Sequence, residues 1–159
     1  ILSIIFWFIM ETIKISPFKK KFNNSFLNLF FVLIILQIVL GAFLAGMDGG
    51  FIYNSWPDMN GNFLPNDINN IDLFLYSSLD NPSVIQFYHR FTAYLLFISL
   101  LFLNYYTYRT KIDFKPVLIL NIAIFVQIVL GIVTLITGVK ITYASLHQLG
   151  SIFVLTSFL

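Results

Sequence analysis

Three uninterrupted apolar runs, Phe26 to Met47, Gln86 to Tyr106 and Pro116 to Gly138, decide most of what this chain can become. Coiled as a helix, about 20 apolar residues cross a hydrocarbon core of roughly 30 Å. No water satisfies a peptide group inside that core, so each run must close its hydrogen bonds within itself. Two shorter runs, Ile1 to Ile13 and Ala144 to Leu159, read as helices cut at the ends of the sequence. The expected fold class is therefore all-α: a polytopic membrane four-helix bundle over 25–159. Before it, 1–24 holds the end of a truncated helix and a basic connector. A 58% hydrophobic and 10% charged composition, with a mean hydropathy of +0.88, excludes an ordinary water-soluble domain. The first residues lack the basic n-region and cleavage site of a signal peptide.

Charge orients the bundle. Lys14, Lys19, Lys20 and Lys21 fill the first connector, and Arg109, Lys111 and Lys115 the third. The long connector between them, Asp48 to Ile85, holds five aspartates and no lysine or arginine. By the positive-inside rule the basic connectors face the cytoplasm, or the matrix in a mitochondrion, and the acidic one faces outward. A bacterial inner membrane is the expected location, with the mitochondrial inner membrane as the alternative, and membrane lipid is the first expected partner. No basic patch is interleaved with aromatics in a soluble segment, so nucleic-acid binding has no support.

The only two histidines, His89 and His147, sit near the outer starts of the second full span and of the last run. Counted from those starts, each lies about four residues, or roughly 6 Å, below the outer boundary. An ionisable ring inside hydrocarbon must be offset by a partner, which makes it a functional hypothesis by default. An internal repeat supports the pairing: Gln37-Ile-Val-Leu-Gly41 recurs as Gln127-Ile-Val-Leu-Gly131, each on the helix preceding a histidine. Two hairpins related by an axis along the membrane normal would bring the rings face to face. Gln37 and Gln127 are expected to bond between helices. Gly41 with Ala45, and Ala42 with Gly46, allow either close helix packing or a flat macrocycle.

The outer connector 48–85 is too long for a simple turn. Its aromatics Phe51, Tyr53, Trp56, Phe63, Phe74 and Tyr76 give it apolar surface to fold back and cap whatever lies between the histidines. An aromatic belt at the membrane interface is the competing reading.

Without cysteine the chain has no disulfide, iron–sulfur cluster or covalent haem attachment. Two neutral imidazoles in an apolar bundle suit axial ligation of a b-type haem, which makes His89 and His147 the candidate metal ligands. Arg90 is the candidate partner of a haem propionate, or a snorkelling arginine at headgroup level. A single intramembrane hydrogen bond for each histidine is the plainer reading, and structural zinc would need four ligands. No residue is singled out as catalytic. The composition leaves electron transfer and catalysis equally open.

The run Leu40-Gly-Ala-Phe-Leu-Ala-Gly-Met-Asp-Gly-Gly-Phe-Ile-Tyr-Asn-Ser-Trp-Pro-Asp-Met59 resembles the end of the fifth helix and the next loop of haem A synthase, in its alphaproteobacterial and mitochondrial branch. Gln86-Phe-Tyr-His-Arg-Phe-Thr-Ala-Tyr94 and Leu146-His-Gln148 look like that family's sixth- and eighth-helix histidine motifs. Gly50 stands where the family pattern suggests alanine. The resemblance implies an eight-helix oxidoreductase of two four-helix halves, of which this chain is the second. It also implies oxidation of a haem O methyl group to the formyl group of haem A for cytochrome oxidase. In that scheme haem b sits here on His89 and His147, while the substrate haem O and an acidic catalytic residue belong to the first half. Haem O synthase, oxidase assembly factors and further copies of the protein are the partners it suggests. A non-enzymatic b-type cytochrome subunit is the alternative.

Overall fold

Four helices follow one another as two antiparallel hairpins in the computed structural model, which describes residues 24–68, 76–111 and 114–158. They are α1 (Asn24–Gly46), α2 (Pro82–Thr110), α3 (Lys115–Ile136) and α4 (Ile141–Phe158). The run Ile1 to Ile13, the lysines of the first connector and Phe74 lie outside the described residues. Helices α1, α2 and α3 are each long and apolar enough to cross a membrane. The chain is thus a multi-pass, all-α membrane protein, as the apolar runs predict. Its outer faces carry large exposed side chains such as Val32, Phe43, Ile98, Phe125 and Phe153, the surface a lipid-facing helix requires.

Helix α2 is about a turn longer at each end than its apolar run. Asn81 caps it, its side chain accepting from the Ser83 N–H at 2.8 Å, and Pro82 takes the first helical position, where a missing N–H costs nothing. Helix α4 likewise begins earlier than expected, at Ile141, after a turn in which Gly138 and Val139 both adopt positive φ. The expected histidine depth is corrected accordingly: both rings lie nearly two turns inside their helices, roughly 10 Å from the start. The polar cap Asn81 hides the start of α2 from a reading of hydropathy. The match in depth between His89 and His147 is kept.

The packed core occupies only half of the bundle, at the end carrying Arg109, Lys111 and Lys115. Leu27, Phe30 and Ile34 of α1 meet Leu96, Leu100 and Leu103 of α2, with Val117, Leu120 and Ile124 of α3 closing the cluster. Each set repeats at helical spacing, so each helix offers one stripe to its neighbours. Lipid tails are as apolar as leucine, so this stripe stabilises through van der Waals fit rather than by escape from water. Stacked rings of Phe30 and Phe158, with centroids 5.5 Å apart, join α1 to α4 here. Asn104 and Asn121 join α2 to α3 by donating to one another's carbonyls at 2.8 and 2.7 Å.

That reciprocal amide pair yields a prediction. Asn121→Leu alone leaves the Asn104 carbonyl without its donor, while the Asn104 amide keeps Leu100 O at 2.8 Å, and should destabilise the full-length protein by about 1 kcal/mol. The double change Asn104→Leu with Asn121→Leu should recover most of the loss. Thermal unfolding in detergent measures both, and a double variant no better than the single would refute the pairing.

Candidate functional site

Toward the opposite end the apolar stripes give out and polar side chains replace them. Among the described residues the buried side-chain atoms without a hydrogen-bond partner are Gln37 Oε1, Gln86 Oε1, His89 Nδ1, Arg90 Nε, Gln127 Oε1 and His147 Nδ1. All belong to this half. Buried polar atoms in folded proteins are almost always paired, so a local collection of orphans is the mark of a site that takes a ligand or solvent.

His89 on α2 and His147 on α4 come together here, with ring centroids 6.4 Å apart and planes nearly perpendicular at 86°. A metal held about 2 Å from a nitrogen of each ring would leave ring centres roughly 6 Å apart. Each ring lies against the glycine of its own hairpin. A Cβ added at Gly41 would stand 3.1 Å from His89 Cε1, and one at Gly131 would stand 2.9 Å from His147 Cε1. The repeated pentapeptide is therefore a seat for a histidine: its glycine admits the ring and its glutamine lies one turn before. Both glutamines do bond between helices. Gln37 Nε2 is 3.2 Å from His89 Nε2, whereas Gln127 Nε2 donates to the His147 backbone carbonyl at 2.9 Å. Ala42, Ala45 and Gly46, expected to line a close helix approach, are exposed, and nothing lies within 4 Å of a Cβ at Gly46.

Arg90 points away from lipid and into the outer loop. Its Nη1 donates to the carbonyls of Ser55 and Asp58 at 3.0 and 2.7 Å, and its Nη2 to that of Tyr53 at 2.9 Å. Nε remains unpartnered and buried. Gln86, one turn earlier, donates to the same Tyr53 carbonyl at 2.9 Å. The loop crosses to the second hairpin as well, because Asn54 Nδ2 donates to Leu135 O at 3.1 Å. Gly50 packs on the α3–α4 turn, where a Cβ would stand 3.0 Å from Val139 Cγ2. Alanine at position 50 would require Val139 to give by a few tenths of an ångström.

The expected loop aromatics divide. Tyr53 is buried, while Phe51, Trp56 and Phe63 are exposed as an interfacial belt would have them. Met59, which sequence reasoning passed over, is buried beneath the Asn60-Gly61 turn, both of whose residues take positive φ. Polar ties do the rest, and no hydrophobicity pattern signals them: the Tyr53 hydroxyl and Ser83 Oγ each donate to the Asp67 carboxylate at 2.6 Å.

The comparisons with known proteins identify the family. The profile of the COX15-CtaA family, described as cytochrome oxidase assembly protein, matches residues 1–159. Haem A synthase of Pelagibacter ubique is 58% identical over 158 residues, which is 99% of this chain and 47% of that protein. The chain belongs to the haem A synthase family. Other haem A synthases show lower identity: that of Rickettsia felis is 39% identical over 89% of this chain and 42% of its own length. That of Wolbachia pipientis is 32% identical over 87% and 40% respectively. The chain spans about half the length of the curated relatives it matches. No solved structure matches it. The haem A synthase resemblance therefore holds over the whole sequence.

The Asp67 tie gives the loop of this chain a pH dependence. Burial pushes the Asp67 carboxyl up, but the hydroxyl bonds from Ser83 and Tyr53 outweigh it and hold the group below its ordinary value. Tyr53 is pushed up, by burial first and by its bond to Asp67 second, so it stays a donor. A carboxylate held low in the fold contributes stability above its unfolded pKa and loses it as pH falls through the folded one. The Asn66 amide, which donates to the Tyr53 hydroxyl at 2.9 Å, reports this tie. Its hydrogen-exchange protection should hold at neutral pH and fall below the ordinary carboxyl value of 3.8. Asp67→Asn should remove that step, and a step that survives the substitution would assign it elsewhere.

Proposed function

We propose that this chain is the haem b-holding half of a haem A synthase, an oxidoreductase that converts a methyl group of haem O to the formyl group of haem A. The observation that carries the reading is the facing pair His89 and His147, each seated on a glycine and each with a buried, unpartnered Nδ1. The donor set fits the group. Two imidazoles without thiolate suit a non-covalent haem, and among the described residues no cluster of three or more His, Asp or Glu offers a multi-ligand metal site. Kinship over the whole chain with proteins named haem A synthase supports the activity.

In this reading His89 and His147 hold the haem iron, and Gly41 and Gly131 keep the space beside each ring. A bound haem b supplies a one-electron iron couple. Arg90 keeps two N–H donors beyond those it spends on the loop, at Nη2 and Nε, and these suit a propionate carboxylate. The outer loop, tied to both hairpins, excludes water from the histidine level. That dryness strengthens every polar contact inside it. Haem O and the acidic group acting on it belong to the part of the relatives that lies outside this chain. The enzyme resides in the bacterial inner membrane, in reach of haem O synthase and oxidase assembly factors.

Purified full-length protein should show a low-spin b-type spectrum. His89→Ala and His147→Ala should each abolish that signature, and cells carrying either should accumulate haem O at the expense of haem A. Unchanged haem content in both variants would sink the ligand assignment. Normal haem A in cells lacking the gene would instead leave a cytochrome subunit without this activity.

A further inference from the structure

The outer loop rests on one stripe of α2, formed at helical spacing by Val84, Phe87 and Arg90. Val84 is fully buried, the Phe87 ring meets Phe63 of the loop edge-on with centroids 6.0 Å apart, and Arg90 donates to the carbonyls of Tyr53, Ser55 and Asp58. The repeat that matches His89 with His147 carries this stripe onto α4 as Thr142, Ser145 and Gln148. There all three side chains are exposed, and among the described residues none of them has a hydrogen-bond partner. The second hairpin has no loop of its own to lay over them, because only residues 137–140 join α3 to α4.

Hydrocarbon cannot answer a carboxamide, and polar side chains inside membrane helices face protein or water. Gln148 lies seven residues inside α4, roughly 10 Å from its start and level with the histidines. The other helices obey the rule: over Leu29 to Gly46 in α1, Phe91 to Tyr108 in α2 and Leu118 to Ile136 in α3, every exposed residue is apolar or aromatic. We propose that Thr142, Ser145 and Gln148 form a docking face for main chain from the part of the full-length protein outside this chain, as the outer loop docks on α2. Because this chain spans about half the length of its curated relatives, as much protein again is available in the family to supply the cover. The side chains suit backbone: the Gln148 amide can donate to a carbonyl, as Arg90 does, and accept from a peptide N–H. Ser145, standing where α2 has the Phe87 ring, leaves room for that backbone to come close. The proposal uses neither histidine as a ligand, so it stands or falls apart from the haem reading.

The test places single nitroxide spin labels in the full-length protein in lipid vesicles, on a background otherwise free of cysteine. It reads how far oxygen, which concentrates in hydrocarbon, and a water-soluble nickel chelate each reach the label. Val129→Cys is the lipid reference, since Val129 is exposed and lies seven residues from the outer end of α3, as Gln148 does from the outer start of α4. Labels at Gln148→Cys and Ser145→Cys should meet oxygen several-fold less than that reference and should be closed to the chelate. Oxygen access equal to the reference would put the stripe in lipid, and open access to the chelate would put it in water; either overturns the proposal. The protection should persist at one protein per vesicle, and its loss on that dilution would assign the face to a second copy and refute the occupant named here. Thermal unfolding decides if the labelled variants fail to fold. Gln148→Leu suits lipid but not a main-chain partner, so it should lower the melting temperature of the full-length protein, and an unchanged or raised one refutes the docking.

Discussion

An imidazole nitrogen shut away from water and left without a partner costs free energy, and the bundle gathers two of them at one depth, beside three glutamines and an arginine in the same condition. Among the described residues nothing comparable occurs in the other half, where leucine, isoleucine and phenylalanine side chains close the space between helices. The two halves are thus built to different rules. One is complete by itself, because helices in lipid associate through fit and the stripes of α1, α2 and α3 supply it. The other has donors and acceptors facing inward with too few groups to answer them, which is the condition of a binding site.

The loop above that site is ordered by polar bonds to backbone rather than by hydrophobic weight. Arg90 spends three donors on carbonyls of Tyr53, Ser55 and Asp58, so a single guanidinium replaces the water those carbonyls would otherwise need. Because Arg90 follows His89 directly, the loop's position and the ring's are set by the same turn of α2. Asn54 carries the strap to Leu135 at the far end of α3, the helix whose glycine seats the other histidine. A segment joined to both hairpins in this way limits how far the two rings can separate.

Hydropathy made the spans legible, and the repeated Gln-Ile-Val-Leu-Gly with one histidine per hairpin made their pairing legible. Both signals are periodic and one-dimensional, the kind a sequence displays directly. The helix starts were displaced by about a turn because Asn81 and Pro82 are polar or helix-breaking by composition, yet act here as cap and first residue. The loop was harder still. Six aromatics suggested an apolar lid, while the contacts that hold it run from Arg90, Gln86 and Asn54 to main-chain carbonyls, and a carbonyl is invisible in any residue pattern. Gly131 was within reach as a histidine seat, since it ends the same pentapeptide as Gly41. Gly150, whose lack of a Cβ leaves room for the Gln127 amide, was not, because its meaning depends on where the Gln127 side chain lies in three dimensions.

The spacing of the rings follows from where the hairpins touch. Contacts within each hairpin, α1 with α2 and α3 with α4, are far more extensive than those between hairpins. At the histidine level, then, direct helix packing is a weak constraint on the 6.4 Å separation. The stronger constraints are at the two ends: the Asn104–Asn121 pair beside the apolar core, and the Asn54 bond to Leu135 under the loop. Two rigid hairpins fixed to one another above and below leave the region between them open without letting it spread. At this level the two hairpins have little need to pack on each other, and the opening between them is held by residues at its two ends.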